Sequence, residues 1–353
     1  MVDITHINDV LPHIEGYEGF IHAVKDGYQV IDYVYIDPEA FDDPVRLECR
    51  GLKFDMDGNL IARPLHKFFN IGERGIMVND IDWSRPHIVM DKRDGTMIHA
   101  CLLNGEVRLM TRMGLTEHAL RCEERHLTHE LKDKLLFELK NGWTPIFEWT
   151  SFDNQIVLRY DDDQLTLLAI RKNSTGEYVG RNGLAVFSNF YGLPLVEKVQ
   201  LSVDDVHAAT GIEGVVIWFT DNDYFVKVKA DEYVTAHRAV SFFDREKHVL
   251  ELVLNGGVDD LVPVLPKEKA DKLLEYERAV NHELTVFSES LLALVGAFRD
   301  IPRKEFATDI VPKIAKKELR SAAFRILDGH DALTTIKECV SKHPEILETK
   351  WIP

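Results

Sequence analysis

Hydrophobic and polar positions alternate in short runs along residues 20–230, and beyond that stretch the repeat lengthens to helical spacing. Strand side chains point alternately to opposite faces, whereas a helix brings one face round every 3.6 residues. HIVM, MIHACLL, EVRLMTR, IFEWT, VVIWF and YFVKVK are therefore predicted strands. Asn104-Gly105, residue types suited to a tight hairpin turn, joins two of them, and Asp221-Asn222-Asp223 joins another pair. Helical spacing interrupts the strands at 116–140 and 180–191. It returns after Asn255-Gly256-Gly257 in KADKLLEYERAVNHELTVFSESLLALVGAF, again after Pro302, and again before Pro344.

This pattern predicts an α+β chain: a domain of antiparallel sheets with flanking helices over residues 1–245, then a smaller all-helical domain over 246–353. A length of 353 residues suits two such domains. The hydrophobic fraction of 45% and charged fraction of 29% are those of a folded globular chain, without repeats or low-complexity segments. The first residues lack a secretory signal and no stretch is apolar for long enough to span a bilayer, so a cytoplasmic location without membrane partners is expected. Cys49, Cys101, Cys122 and Cys339 form no CxxC pair, which argues against a disulfide framework or a thiolate zinc site. His126 and His129, three apart in HLTH, lack a third ligand and read as exposed helix positions.

A formal net charge of −17 opposes non-specific adhesion to nucleic acid, so any polynucleotide contact has to come from local basic clusters. One lies near the C-terminus. If Pro312 opens a helix, Lys313, Lys316, Lys317 and Arg320 share one face. Such a stripe can track a phosphate backbone; a solvated amphipathic face is the equal alternative.

The other cluster is scattered in sequence. Lys92-Arg93-Asp94-Gly95, followed by Thr96, links two predicted strands and would present Lys92 at the mouth of a site. A Lys-x-Asp-Gly match arises by accident in on the order of a tenth of chains this long, so the tetrapeptide alone decides nothing. Its company does. Arg50-Gly51 lies within LECRGLKF, KFFN (67–70) follows, Glu148 lies in IFEWT, Glu213-Gly214 opens VVIWF, and Lys227 and Lys229 lie in YFVKVKAD. Period two puts the last two lysines on one strand face and Val226 and Val228 on the other. An amine nucleophile has to be unprotonated to react, against a free lysine pKa of about 10.4. Two cations on one strand face could keep Lys92 in that form, hold a triphosphate and stabilise charge at its α-phosphate.

In this ordered set, over about residues 30–240, the sequence resembles the covalent nucleotidyltransferase superfamily of ligases and capping enzymes. ECRG, KFFN and VKVKADEY make it similar to the RNA ligase 1 branch typified by T-even phages. The resemblance implies an ATP-dependent RNA ligase that joins 5′-phosphate and 3′-hydroxyl ends through lysyl-AMP and RNA-adenylate intermediates. Lys92 would be the nucleophile, with Lys227, Lys229 and Glu213 in the catalytic machinery and Glu213 also the metal ligand. Mg²⁺ would be the ion, Mn²⁺ its substitute. Arg50, Lys67, Asp94, Gly95, Arg112 and Glu148 would surround the nucleotide, Glu148 at its ribose. Arg112 stands where the family usually has lysine, and Lys67 can equally be a strand-edge charge beside a core Phe68-Phe69 pair. The resemblance further implies RNA repair, including broken tRNA, a separate end-healing kinase or phosphatase as partner, host cytoplasm if the chain is phage-encoded, and a C-terminal domain that selects RNA. A DNA ligase, a GTP-using capping enzyme and a non-catalytic nucleic-acid-binding relative are the other readings.

Overall fold

A computed structural model describes residues 2–34, 38–242, 245–265 and 267–352. The chain divides into two units, Met1–Val234 and Thr235–Pro353, whereas the sequence pattern drew the boundary at 245. In the first unit the described strands form three four-stranded sheets. Sheet one contains β1 (Phe20–Lys25), β2 (Tyr28–Tyr33), β3 (Leu52–Phe54) and β4 (Leu60–Ala62) in that order. Sheet two contains β7 (Thr96–Leu103), β8 (Glu106–Met110), β9 (Trp143–Thr150) and β10 (Gln164–Lys172), ordered β10-β9-β7-β8. Sheet three contains β5 (Phe69–Asn70), β6 (His87–Asp91), β11 (Gly214–Phe219) and β12 (Tyr224–Lys229), ordered β5-β12-β11-β6. The pairings are antiparallel except β5 with β12, which run parallel.

Alternation along β7 distributes the core. Ile98, Ala100 and Leu102 face one way, into a cluster with Leu131, Leu135, Leu139 and Leu184 from the flanking helices. Cys101 and Leu103 face the other way and pack with Tyr28, Val30 and Ala62 of sheet one. In sheet three, Val226 and Val228 pack with Val215, Ile217 and Phe219, while Trp218 and Phe225 point into the β7 cluster. The lysines of β12 are thereby turned away from the valine core.

The single helix expected at 116–140 is two, Glu117–His126 and His129–Lys140. The Thr128 hydroxyl accepts the Leu131 amide hydrogen at 3.2 Å and starts the second helix afresh, a local cap that outweighs the continuous apolar periodicity. The expected helix at 180–191 is Arg181–Tyr191.

Within the second unit the helices include Glu246–Asn255, Lys267–Ala297, Arg320–Leu327 and Ala332–Lys342. The long Lys267–Ala297 helix buries Leu273, Val280, Leu284, Leu291 and Val295, one stripe at helical spacing. The helix expected from Pro312 is absent. Val311–Lys313 and Lys317–Leu319 are separate single turns, and buried Ile314 is extended between them. Lys316 donates to the Ile346 carbonyl and lies 4.9 Å from the Phe287 ring centre. Arg320 donates to the Pro312 and Ile314 carbonyls at 3.0 and 3.3 Å. Only Lys313 and Lys317 of the four expected cations are exposed, so the continuous basic face does not form. Among the described residues no helix is long and apolar enough to cross a membrane.

Candidate active site

The chain passes from sheet three to sheet two through Lys92-Arg93-Asp94-Gly95, between β6 and β7. A cavity of about 520 Å³ opens there. Arg50, Lys92, Arg93, Gly95, Arg112, Glu148, Lys227 and Lys229 all line it, with Leu65, Phe68, Met97, Leu168 and Val216 as apolar wall. In a chain of net charge −17 this is a locally cationic hollow with an apolar side.

Short backbone bonds register the nucleophile candidate against its neighbours. The Lys92 amide donates to the Gly214 carbonyl at 3.0 Å, and the Ala230 amide to the Glu213 carbonyl at 3.0 Å. Glu213, only 3% exposed, accepts from Lys92 Nζ at 2.6 Å and from Lys229 Nζ at 3.0 Å, both on Oε1. The glycines beside these groups are required by space. A Cβ on Gly214 would lie 2.0 Å from the Val228 carbonyl oxygen, and one on Gly95 would lie 2.3 Å from that of Trp149. Neither backbone has room to accept it.

Lys227 differs from Lys229. It makes no ion pair among the described residues, and its ammonium lies 5.8 Å from the Phe68 ring centre. Burial, reinforced by Lys92, Lys67, Arg50 and Lys229, pushes it down to about 7. Arg50 is likewise lowered by burial and then by Arg112, and among the described residues its guanidinium donates to the Leu65 carbonyl and Met97 Sδ. Among the described residues neither cation forms an ion pair, an arrangement that costs free energy until an anion arrives. Glu148, on β9, is pushed up to about 7 by burial, with Lys92 lowering it and Glu213 raising it.

Three predicted site residues have other placements. Asp94, 1% exposed, does not line the cavity. Its carboxylate accepts from Val157 N at 2.8 Å, Leu158 N at 2.7 Å and Tyr233 OH at 2.7 Å, and so anchors the nucleophile loop rather than facing a nucleotide. Lys67 is also absent from the cavity lining; its ammonium sits 5.0–5.6 Å from the ring centres of Phe69, Tyr33 and Phe41. Arg112 does line the cavity, yet it belongs to a turn closed by the Thr111–Gly114 bridge, just past β8, and is held by Asp32 Oδ1 at 2.6 Å.

The sequence reading passed over Asp32, Lys53 and the Glu48 network. Asp32 is 1% exposed and orients Arg112. Glu48, inside ECRG, accepts from Arg171 at 2.6 and 2.7 Å and from Arg63 at 3.2 Å, fixing the segment that carries Arg50. The signal for Glu48 was its place two residues before Arg50; its partners lie 15 and 123 residues away, beyond any local pattern.

A profile described as RNA ligase matches residues 48–234, which spans every residue lining the cavity. A putative RNA ligase of Thermovibrio ammonificans is 29% identical over 99% of this chain and 96% of its own length. RNA ligase 1 of bacteriophage TS2126 is 29% identical over 79% of this chain and 74% of its own. A putative bifunctional polynucleotide kinase/RNA ligase of Autographa californica nuclear polyhedrosis virus is 27% identical over 69% of this chain, which spans 39% of that longer protein. With a profile match over more than half its length, and the ordered site residues inside that match, the chain belongs to the RNA ligase family.

Proposed function

We propose that this RNA ligase uses ATP and joins RNA 5′-phosphate and 3′-hydroxyl ends by three nucleotidyl transfers. Lys92 Nζ attacks the α-phosphorus; a P–N bond forms, the bond to pyrophosphate breaks, and the nitrogen sheds its proton. An RNA 5′-phosphate oxygen then displaces the lysine and takes the AMP. Finally an RNA 3′-hydroxyl attacks the activated 5′-phosphate, forming the phosphodiester and releasing AMP. Covalent capture splits one difficult joining into transfers that build charge at similar phosphates.

The observation that carries this reading is Lys92 on Glu213 at 2.6 Å, beside a cavity lined by Lys227 and Arg50, which form no ion pair among the described residues. Glu213 is the acceptor in contact with the Lys92 amine, and Lys229 shares that oxygen. Lys227 and Arg50 supply fixed positive charge for the phosphates. The apolar wall of Leu65, Phe68, Leu168 and Val216 suits a purine base. Glu148 faces the same space and would accept from the ribose hydroxyls.

Among the described residues no group of three or more His, Cys, Asp or Glu side chains forms a closed metal cage. One or two carboxylates completed by phosphate and water is the donor set that Mg²⁺ favours, with Mn²⁺ able to replace it, and Glu213 would provide the protein's carboxylate. When bound, the ion neutralises charge on the phosphate oxygens. Broken tRNA is one proposed substrate. The kinase/ligase description of the baculovirus relative supports a separate end-healing kinase as partner. The proposed division of labour gives nucleotidyl transfer to the first unit and RNA choice to the helical second unit.

Incubation with α-labelled ATP and a divalent cation tests the mechanism. Wild type acquires one AMP per chain on Lys92, and Lys92→Ala, folded, acquires none. Full labelling of that variant refutes the assignment. Joining assays with 5′-phosphorylated RNA and DNA strands separate RNA from DNA ligation, and labelling with α-labelled GTP separates ligase from capping chemistry.

A further inference from the structure

Lys53, the middle residue of β3, has no exposed surface. Its neighbours in the strand, Leu52 and Phe54, are equally buried, so both faces of β3 are covered. Lys53 Nζ donates to the Gly51 carbonyl at 2.5 Å and to the Arg112 carbonyl at 2.8 Å. It has no carboxylate partner among the described residues; Asp32, the nearby acid, is taken by Arg112. On β7, His99 is fully buried with both ring nitrogens unpartnered. A methionine would fill this place without the cost of burying an ammonium. Burial alone therefore does not explain the lysine.

Its two acceptors do. Gly51 follows Arg50, and Arg50 and Arg112, from distant stretches of sequence, line the same cavity. The two backbones already touch, since a Cβ on Gly51 would lie 2.9 Å from both the Cα and the carbonyl oxygen of Arg112. The Lys53 ammonium ties these segments together without itself lining the cavity. Burial pushes it down to about 7, the cost of keeping a donor in that place.

We propose that Lys53 is a positioning residue for nucleotide binding: by bridging the Gly51 and Arg112 carbonyls it fixes the spacing at which the Arg50 and Arg112 guanidiniums meet the phosphates. The proposal rests on the reading of the cavity as the ATP site. Lys53 touches no substrate and acts only through the two arginines.

The test is a kinetic cycle on the full chain, following AMP transfer to the protein over a range of ATP concentrations. Lys53→Met is expected to raise KM for ATP about tenfold, the worth of a lost pair of charge-assisted bonds, with the rate at saturating ATP within about threefold of wild type. Its melting temperature is expected to stay within about 5 °C of wild type, because relief of a buried ammonium offsets two carbonyls left without their donor. Lys53→Gln, whose amide can still reach one carbonyl, is expected to fall between, and serves if the methionine variant does not fold. In an Arg50→Ala, Arg112→Ala background the Lys53 substitution is expected to change KM no further, because the groups it positions are gone. An unaltered KM in both Lys53 variants, or an undiminished effect in that background, overturns the proposal. If Arg50→Ala and Arg112→Ala themselves leave KM unchanged, the ATP-site reading falls, and with it this proposal; if they raise KM while the Lys53 variants do not, Lys53 alone is refuted.

Discussion

Glu148→Gln should make the ligand-free protein more stable while disabling it. Burial raises this carboxyl from 4.5 to about 7 because the cavity wall desolvates it more than Lys92 compensates. Between those values the native protein retains a proton that the unfolded chain has released. Stability then falls as pH rises, by about 1.4 kcal/mol per unit, and stays at the lower level above 7. The full shift corresponds to about 3 kcal/mol, and water in the open cavity reduces this to an expected 1–2 kcal/mol, roughly. Glutamine keeps the shape and carries no charge. Urea denaturation followed by tryptophan fluorescence suits the measurement, since buried Trp149 adjoins Glu148 on β9. The two proteins should be alike near pH 4, the variant should gain steadily to pH 7, and its advantage should be constant at pH 8. Labelling with AMP should drop in the same variant. A difference that does not vary with pH, or a variant less stable at pH 8, would refute the reasoning.

Other substitutions probe other parts of the site. Gly95→Ala drives a Cβ to 2.3 Å from the Trp149 carbonyl; AMP transfer should fall on the order of a hundredfold from a displaced Lys92, with a stability loss of about 1–3 kcal/mol by urea titration. Glu48→Ala should cost about 3–5 kcal/mol, because it strands two buried guanidiniums. Burial opposes ionisation of Glu48, but Arg171 and Arg63 prevail and hold it at about 2. Its stabilisation is therefore present above 4.5 and lost as pH falls toward 2, a slope that acid titration should find missing in the alanine variant. Lys227→Ala should slow AMP transfer on the order of 10²–10³-fold, measured with α-labelled ATP, while raising ligand-free stability. Chelation by EDTA should abolish transfer in wild type and added Mn²⁺ should restore it.

Local rules carried much of the first unit. Alternation marked β7, β8, β11 and β12, and it predicted the shared face of Lys227 and Lys229, because both depend on neighbours two residues apart. The same rule gives no sign of what Lys53 does. A lysine between Leu52 and Phe54 reads as the solvent side of a half-buried strand, yet sheet two covers that side. Lys313 to Arg320 failed for a related reason: helical spacing is satisfied on paper, but burial of Ile314 in extended conformation splits the segment.

The sequence by itself determined the α+β class, the positions of most strands, and the residue types and order that mark a lysine-nucleophile site. Only the tertiary structure decided what each group does within it. Lys227 and Lys229 are equivalent in sequence, but a single carboxylate, Glu213, pairs with one and leaves the other to the cavity. Asp94 sits in the motif and serves the loop; Lys53, two residues past Gly51 in LECRGLKF, donates to the Gly51 and Arg112 carbonyls. Hydrogen bonds and desolvation depend on atoms within a few ångströms, and the fold draws those atoms from segments up to 139 residues apart.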